Sequence, residues 1–288
     1  MATLEQWYLG ARPRTLPAAV VPVVVASAAA ASVAKFDVVR AGLALVVSLS
    51  LQIGTNFSND YSDGLKGTDD KRVGPMRLTA SKLARPKQVL LAGMIFFAIA
   101  ALAGLVLAWL TTWMLLIGGF AALAAGWYYT GGKRPYGYYG FGELFVFVFF
   151  GVFAVMGTYY VQVQHLDTLI ALLSLPVGFL AVALLVVNNL RDIRSDTAAK
   201  KITLAVRLGD KNTRRLYEGL VIAAFIVLVP AALYKSWVVV GAIALIWAYT
   251  PIKSVASGAT GPELIKVLGA TGRLQIAFGI ALTTGLLL

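Results

Sequence analysis

Residues 88–110 read QVLLAGMIFFAIAALAGLVLAWL and contain no charged side chain. A helix of about 20 apolar residues is long enough to cross the hydrocarbon core of a bilayer, because each residue adds about 1.5 Å along the helix axis. The whole chain has a similar character, with 59% hydrophobic and only 13% charged residues among 288, whereas soluble domains carry about 25% charged residues. The sequence therefore predicts an integral membrane protein.

Further apolar runs of similar length lie on both sides of this stretch. Together they predict an all-α integral membrane protein with about nine transmembrane helices in a single domain over residues 1–288. The layout of the polar segments between the runs suggests two similar four-helix halves followed by a ninth helix. The nine runs cover residues 15–34, 41–58, 88–110, 112–129, 143–161, 166–190, 216–234, 236–252 and 274–288.

The positive charges predict how the protein is oriented in the membrane. If the N-terminus is cytoplasmic, 22 of the 25 Lys and Arg residues fall in cytoplasmic segments. Cytoplasmic loops of membrane proteins carry an excess of Lys and Arg, so we expect a multi-pass protein of the cell (inner) membrane whose N-terminus and polar loops face the cytoplasm. The formal net charge of +12 is then a topology signal and does not indicate nucleic acid as a partner. The chain has no cysteine, which excludes disulfides and thiolate metal sites.

Two clusters rich in Asp and Asn lie at the predicted cytoplasmic ends of the second and sixth helices. The first reads NFSNDYSDGLKGTDD over residues 56–70, and the second reads NNLRDIRSDTAAKK over residues 188–201. Spacings of three, four and seven residues place these polar side chains in a stripe on one face of a helix, if the helix continues that far. The stripes consist of Asn56, Asn59, Asp60 and Asp63 in the first cluster, and of Asn188, Asp192 and Asp196 in the second.

Both stripes offer hard oxygen ligands at a membrane boundary. A single polar residue there is explained well enough as a helix cap or as a solvated side chain. Capping or solvation does not explain two matched rows of Asp, because stacked carboxylates repel one another. A cation would relieve that repulsion. Mg²⁺ prefers such oxygen ligands and typically shares one or two carboxylates with substrate phosphates. Basic residues crowd the same loops, so the pattern predicts a Mg²⁺ site that also binds a polyanion.

A third polar element, GWYYTGGKRPYGYYGFGE, covers residues 126–143 after the fourth predicted helix. Aromatic faces stabilise a cation by about 0.5 to 2 kcal/mol, although a belt of interfacial aromatic residues is the more common explanation of such tyrosines. Lys133 and Arg134, which follow the glycine pair, are better candidates for contacts with a ligand.

At these motifs the chain resembles the UbiA-type membrane prenyltransferases, and the resemblance extends over essentially its whole length. Three short patterns of that family find a match in the order and at the places expected. The patterns N-D-x-x-D, D-x-x-x-D and Tyr-x-x-x-Lys fall on Asn59, Asp60 and Asp63, on Asp192 and Asp196, and on Tyr129 and Lys133, respectively.

The chain departs from the family pattern at two places. Many members have a third Asp four residues after Asp63, where this chain has Gly67, and the next acid is Asp69. The role of Asp69 is therefore open. After the second motif the family usually shows Gly-Lys, whereas this chain has Lys200 and Lys201; Lys201 aligns with the functional lysine.

Longer stretches resemble the branch of the family that uses 1,4-dihydroxy-2-naphthoate, among them ARPRTLPAAVVPV over residues 11–23 and KITLAVRLG over residues 201–209. The resemblance implies Mg²⁺-dependent transfer of a polyprenyl group from a polyprenyl diphosphate to this acceptor, with loss of CO₂, in menaquinone biosynthesis. Mg²⁺ would act as a Lewis acid toward the departing diphosphate. The long prenyl tail would lie in an apolar groove open to the lipid bilayer.

The resemblance also implies roles for individual residues. Catalytic roles fall on the aspartates of both motifs and on Tyr129. The same aspartates, together with Asn59, would bind Mg²⁺, and Asn, Lys and Arg residues near the motifs would bind the substrates. The catalytic set is Asp60, Asp63, Asp192, Asp196 and Tyr129, and the substrate-binding set is Asn56, Asn59, Lys133, Arg134, Asn188, Asn189 and Lys201.

Three alternatives deserve comparison. A CDP-alcohol phosphotransferase requires the pattern D-G-x-x-A-R, but Asp63 and Gly64 are followed by LKGT, which does not match. A membrane transporter would place its acids near the middle of the bilayer, whereas these acids lie at helix ends. A sister prenyltransferase that uses 4-hydroxybenzoate or homogentisate stays open, and acceptor competition would separate it. Prenyl chain length and oligomeric state are equally undetermined by the sequence.

Overall fold

The computed structural model describes residues 2–68 and 74–288, and the regular secondary structure within these ranges is helical. A π-helical segment, Phe147–Phe153, joins α6 to α7, and a 3₁₀ segment, Ser236–Ala244, leads into α11. The α-helices are α1 (Leu4–Gly10), α2 (Pro17–Ser32), α3 (Val38–Leu65), α4 (Pro86–Leu110), α5 (Leu115–Tyr128), α6 (Gly142–Val146), α7 (Ala154–Val163), α8 (Thr168–Ala198), α9 (Leu204–Ile226), α10 (Leu228–Ala231), α11 (Leu245–Ala256) and α12 (Pro262–Leu287).

All nine predicted apolar runs coincide with helical structure, which confirms the all-α multi-pass architecture. In the part of the chain that the structure describes, six helical segments are long and apolar enough to cross a bilayer, and seven if the bent pair Leu4–Thr15 and Pro17–Ser32 counts as one span. The predicted total of nine is therefore approximate. Helix α5, for example, has 14 residues, a length of about 21 Å, which is short for a hydrocarbon core of about 30 Å.

The two helices that carry the acidic clusters are the longest in the described chain. Helix α3 has 28 residues and α8 has 31, so they extend over about 42 and 46 Å and exceed the hydrocarbon thickness by several turns. Each begins at an Asp N-cap: Asp37 accepts the backbone N–H of Val39 at 2.9 Å, and Asp167 accepts that of Ile170 at 2.9 Å. Because the caps fix where each helix starts, the last turns carry the clusters beyond the predicted apolar spans.

Close backbone packing fixes the π-helical segment against α8. A Cβ on Gly151 would lie 2.6 Å from Cα of Gly178, and a Cβ on Gly178 would lie 2.8 Å from the ring of Phe147. Only residues without a side chain permit this approach, as is common between helices in membranes. Helices α3 and α8 also pack extensively against the helices that follow them, α4 and α9. The two-half repeat itself remains a prediction.

Arg214 on α9 has a structural role. Its guanidinium donates to both carboxylate oxygens of Asp210, at 2.6 and 2.9 Å. It also donates to the carbonyl oxygens of Val255 and Ala259, at 2.8 and 2.9 Å. Val255 lies in the last turn of α11, and Ala259 follows the end of that helix. Arg214 therefore joins α9 to α11, a role beyond that of a topology charge.

Candidate active site

A cavity of about 720 Å³ lies between α3, α4, α5 and the α6–α7 segment. Its wall on α3 runs from Ala44 to Asp63, a rise of about 28 Å along the helix axis. One end is lined by polar and charged side chains of α3, α8 and the adjoining loops, and the remainder is lined by aliphatic and aromatic side chains. The cavity therefore combines a charged end with a long apolar groove.

The predicted polar stripe on α3 forms, because the helix continues to Leu65. Asn56, Asn59 and Asp63 are buried residues that line the charged end of the cavity. Oδ1 of Asn59 accepts the hydroxyl hydrogen of Thr130 at 2.7 Å, which ties α3 to the turn after α5. Nδ2 of Asn56 donates to the carbonyl oxygen of Ala11 at 2.9 Å. Asn56 thus holds the N-terminal segment over the same end of the cavity.

Lys201 connects the two acidic clusters. Its Nζ lies 3.2 Å from Oδ2 of Asp63 and 4.0 Å from Oδ1 of Asp196. Oδ1 of Asp63 in turn accepts the hydroxyl hydrogen of Tyr138 at 2.9 Å. Burial, and secondly the charge of Asp63, raise the pKa of the Tyr138 hydroxyl, which keeps it protonated as a donor. The sequence predicted the two clusters as one site, and a single ammonium group touches a carboxylate of each.

The second cluster carries its own counterion. Arg191 donates to both carboxylate oxygens of Asp192, at 2.7 Å each, and to Oδ1 of Asn188 at 2.8 Å. Both side chains of the ion pair are almost fully buried, at 1% and 6% exposure. Asn188, Asn189 and Asp192 line the cavity. Arg191 therefore orients two of the predicted site residues, a role that the sequence pattern did not distinguish from a general excess of basic residues.

Asp60 has contacts that its sequence motif did not predict. Its Oδ2 accepts the backbone N–H of Leu78 at 2.7 Å, and its Oδ1 accepts that of Thr79 at 2.9 Å. The side chain thereby anchors the segment from Gly74 to Arg77, which lines the charged end of the cavity. Asp60 itself is not among the cavity-lining residues in the described chain. Its assignment as a catalytic metal ligand remains a prediction. Asp69 lies outside the described residues.

Tyr129 begins a continuous row of five aromatic rings that line the cavity. Successive ring centroids lie 5.6, 3.9, 6.1 and 6.0 Å apart. The π-helical segment supplies the last two rings, and π-helical turns are frequent at functional sites. The row leads from the charged end of the cavity into its apolar part, in the order Tyr129, Tyr136, Phe145, Phe149 and Phe153.

Lys133 and Arg134 are two further predicted site residues that do not line the cavity. Both are exposed, and neither lines the cavity in the described chain. Lys66 lies closer to the site: its Nζ donates to the carbonyl oxygen of Thr130 at 2.6 Å and lies 4.7 Å from the centre of the Tyr138 ring. Burial lowers the pKa of Lys66, and Asp63 partly opposes this effect. Diphosphate binding by Lys133 and Arg134 remains a prediction.

Three arginines that line the cavity were not among the predicted site residues: Arg12, Arg14 and Arg77. Nη2 of Arg12 donates to the backbone oxygen of Asn56 at 3.3 Å, and Arg12 adopts a left-handed backbone conformation with φ of 56°. A non-glycine residue with positive φ is uncommon and often marks a functional segment. The conformation itself has no signal in the sequence.

The donor set of the charged end fits Mg²⁺. Asn59, Asp63 and Asp192 offer hard oxygen atoms to one cavity, and Asp196 lies next to Lys201. Within residues 2–68 and 74–288, no group of three or more His, Cys, Asp or Glu residues forms a complete metal site. Mg²⁺ usually takes one or two carboxylates from the protein and completes its shell with water and substrate phosphates.

Comparison with known proteins identifies the family of the chain. A sequence profile of the UbiA prenyltransferase family matches residues 19–260. The chain is 49% identical over 286 residues to 1,4-dihydroxy-2-naphthoate octaprenyltransferase of Mycobacterium tuberculosis, and the alignment covers 99% of this chain and 98% of that protein. It is 47% identical over 288 residues to the protein of the same name from Mycobacterium leprae, and this alignment covers 100% of this chain and 98% of that protein. The solved structure of a UbiA homolog from Archaeoglobus fulgidus bound to GPP and Mg²⁺ has a similar fold, with a TM-score of 0.62 at 16% identity over 97% of this chain and 99% of that chain. The chain therefore belongs to the UbiA prenyltransferase family.

Proposed function

We propose that this protein transfers a polyprenyl group from a polyprenyl diphosphate to 1,4-dihydroxy-2-naphthoate, with loss of CO₂, and so contributes to menaquinone biosynthesis. The observation that carries the proposal is a cavity that joins a charged end, lined by Asp63, Asp192 and Lys201, to an apolar groove, along a wall of α3 about 28 Å long in all. A prenyl diphosphate has the same two-part chemistry. The names of the mycobacterial relatives support the naphthoate as acceptor.

The charged end would bind the diphosphate together with Mg²⁺. Asn59, Asp63, Asp192 and Asp196 would hold the metal. Asp60, which its motif predicts as a further ligand, would instead anchor the loop that carries Arg77. Bound Mg²⁺ would supply Lewis-acid stabilisation of the departing diphosphate. Lys201 and Arg77 would bind phosphate oxygens, since both line this end of the cavity. The Lys201 ammonium, already between the two clusters, is placed to exchange a carboxylate partner for a phosphate oxygen.

The chemistry needs no covalent enzyme intermediate. The bond between the allylic carbon and the diphosphate oxygen breaks, and its electron pair leaves with the diphosphate. A ring carbon of the naphthoate then supplies an electron pair to the allylic cation, and the carboxylate departs as CO₂, leaving the bond electrons in the ring. Tyr129 and Tyr136 line the cavity, and their ring faces would stabilise this cation by about 0.5 to 2 kcal/mol.

The apolar groove would hold the prenyl tail in contact with lipid. Three of its lining residues are exposed: Leu105 at 45%, Leu116 at 41% and Phe120 at 75%. They belong to α4 and α5, so the groove opens sideways at membrane depth. A tail longer than the groove would extend into the bilayer, at low cost because both environments are apolar. We also propose that the charged end faces the cytoplasm, as the distribution of Lys and Arg predicts.

The proposal is tested with purified protein in lipid nanodiscs. The protein is incubated with Mg²⁺, 1,4-dihydroxy-2-naphthoate and prenyl diphosphates of several lengths, and the products are identified by mass spectrometry. We expect a prenylated naphthalenediol that lacks the carboxyl group, and no product when EDTA removes the metal. Acceptor competition with 4-hydroxybenzoate and homogentisate separates the sister activities. Prenylation of either of these acids in preference to the naphthoate would overturn the proposed acceptor.

A further inference from the structure

Glu143 and Asn189 form a buried polar pair beside the cavity. Glu143 is the second residue of α6 and is 6% exposed, and Asn189 lies on α8 and is 5% exposed. Nδ2 of Asn189 donates to Oε1 of Glu143 at 2.9 Å. Asn189 lines the cavity, whereas Glu143 lies behind it and is not among the lining residues of the described chain. The pair therefore consists of one residue at the cavity wall and one that supports it.

The hydrogen bond decides which end of the Asn189 amide is available to a ligand. An amide side chain has a donor end and an acceptor end, whereas an ionised carboxylate only accepts. Glu143 engages the donor end, and Oδ1 of Asn189 has no hydrogen-bond partner among the described residues. Asn189 thus offers the cavity a hydrogen-bond acceptor in a fixed orientation.

The second carboxylate oxygen of Glu143 makes this arrangement costly. Oε2 is buried and has no hydrogen-bond partner in the described part of the chain. A buried, unpaired carboxylate oxygen is unfavourable in a folded protein, and such exceptions call for an explanation. Tyr129, whose ring lines the cavity, packs against Gly142 next to this carboxylate. An aromatic ring and a hydrogen-bond acceptor are therefore adjacent on one wall.

We infer that Glu143 is a positioning residue that holds Asn189 to accept a hydrogen bond from a ring hydroxyl of the aromatic substrate. This inference rests on the proposed function. The ionised prenyl diphosphate carries no hydrogen-bond donor, so an acceptor atom at the wall serves the other substrate. A dihydroxynaphthoate carries two hydroxyl donors. When Asn189 accepts the hydrogen bond from the ring hydroxyl, the phenolic oxygen keeps more electron density. That oxygen can then donate electron density to the neighbouring ring carbons.

The test compares acceptors that can and cannot donate this hydrogen bond. Wild-type protein in nanodiscs is assayed with 1,4-dihydroxy-2-naphthoate and with the two analogues in which one hydroxyl is replaced by methoxy. We expect kcat/KM to fall at least about 30-fold for one of the analogues, because sites built to bind a hydroxyl reject analogues that lack it. Glu143→Gln and Asn189→Ala should reduce this preference to within about fivefold and leave the KM for prenyl diphosphate within about twofold.

A matched control lies on the same helix as Asn189. Ser174 is 1% exposed, its hydroxyl donates to the carbonyl oxygen of Ala171 at 2.7 Å, and it does not line the cavity. Ser174→Ala should keep the full preference for the hydroxyl. If Glu143→Gln does not fold, Asn189→Ala gives the same readout with Glu143 intact.

The outcomes separate this inference from the proposed function. A variant pair that retains the wild-type preference would overturn the assignment of Glu143 and Asn189, while the prenyltransferase activity would stand. A wild-type protein that prenylates the naphthoate without distinguishing the methoxy analogues would overturn it as well. If the wild type prenylates no dihydroxynaphthoate at all, the proposed function fails, and the inference fails with it.

Discussion

Nζ of Lys201 lies 3.2 Å from Oδ2 of Asp63, although 138 residues separate the two in the sequence. This contact brings the end of α8 to the end of α3 and gives a buried carboxylate its counterion. A buried carboxylate that loses its partner is strongly destabilised as an anion. The same ammonium lies within 4.0 Å of a carboxylate of each acidic cluster, so its removal tests the site directly.

Lys201→Ala should raise the KM for prenyl diphosphate at least about tenfold, because it removes a cation from the charged end of the cavity. Lys87→Ala is the control, since Lys87 is an exposed residue of the first turn of α4. It should leave the KM within about twofold. Steady-state kinetics at saturating naphthoate provides the measurement. Similar KM changes for the two variants would contradict the distinction between ligand-binding and topology charges.

Asp63→Asn and Asp192→Asn should each reduce kcat/KM at least about 100-fold. Asn keeps the size and one oxygen atom of Asp but removes the negative charge that would hold Mg²⁺ against the diphosphate. If both residues serve one transition state, the losses should not add, because the first substitution already disables the unit. The double variant should then be less than about tenfold worse than either single one.

The measurement is kcat/KM over a Mg²⁺ titration, with expression and thermal stability checked for each variant. Retention of more than about a tenth of wild-type activity by both single variants at saturating Mg²⁺ would show that these residues do not hold the metal.

Asp60→Asn should act differently from Asp63→Asn. Both oxygens of Asp60 accept backbone N–H groups, of Leu78 and Thr79, and Asn would point its own donor at one of them. The segment that carries Arg77 should loosen. We expect a higher KM for prenyl diphosphate and faster tryptic cleavage at Arg77, with the Mg²⁺ concentration for half-maximal activity within about threefold of wild type.

Asp63→Asn should clearly raise the Mg²⁺ concentration that gives half-maximal activity. An equally large shift with Asp60→Asn would support the role of metal ligand that the N-D-x-x-D motif predicts, and would make the loop contacts a supporting feature.

The sequence predicted those parts of the site that depend on local periodicity. The spacing of Asn56, Asn59 and Asp63 is sufficient to place them on one face once α3 continues to Leu65. The contacts of Asp60 were not predictable, because its partners are backbone N–H groups of a loop whose path is set by tertiary packing. For the same reason, no spacing rule could show that Lys133, which follows the glycine pair, is exposed to solvent.

The second feature that the sequence could not predict is the register between distant helices. The pairs of Lys201 with Asp63 and of Asn189 with Glu143 join residues that are far apart in the chain. Each depends on the depth at which α8 packs against its neighbours, and the contact between Gly151 and Gly178 helps to set that depth. The sequence shows that Gly151 and Gly178 would permit a close approach of two backbones, but it does not show which helices approach each other.

The clamp between α9 and α11 predicts a pH-dependent contribution to stability. The hydrogen bond from Arg214 holds the pKa of Asp210 below its ordinary value. A carboxyl whose pKa is lower in the folded state stabilises the fold above its unfolded pKa, near 3.9, and this contribution is lost as the pH falls through the folded pKa. Asp210→Asn should therefore lower the Tm at pH 7, and the difference from wild type should shrink toward pH 3.

Arg214→Met should lower the Tm at pH 7 by more than Asp210→Asn does, because it also removes the donors to the carbonyls of Val255 and Ala259. The neighbouring Arg215 is exposed, and Arg215→Met is the matched control, with a Tm within about 1 °C of wild type. Thermal unfolding in detergent provides the measurement. Equal losses from Arg214→Met and Arg215→Met would contradict the clamp.

The apolar groove predicts how the protein handles donors of different length. Phe153 ends the aromatic row and lines the groove, and a Cβ on Gly118 would overlap its ring. Gly118→Ala should therefore displace the ring, and because Phe153 lines the groove, the path of the tail should narrow. We expect kcat/KM to fall at least about tenfold for long prenyl diphosphates and to stay within about threefold for a two-isoprene donor, whose tail does not reach Phe153.

A second substitution distinguishes blockage of the groove from general damage. Phe153→Ala in the Gly118→Ala background removes the displaced ring and should restore most of the activity with long donors, since the two effects are coupled at one contact. Gly42→Ala is the control, because a Cβ on Gly42 would meet nothing within 4 Å and Gly42 does not line the cavity. Product profiles by mass spectrometry over a series of donor lengths provide the measurement. A uniform loss over all lengths in Gly118→Ala, without rescue in the double variant, would show that Phe153 does not border the path of the prenyl tail.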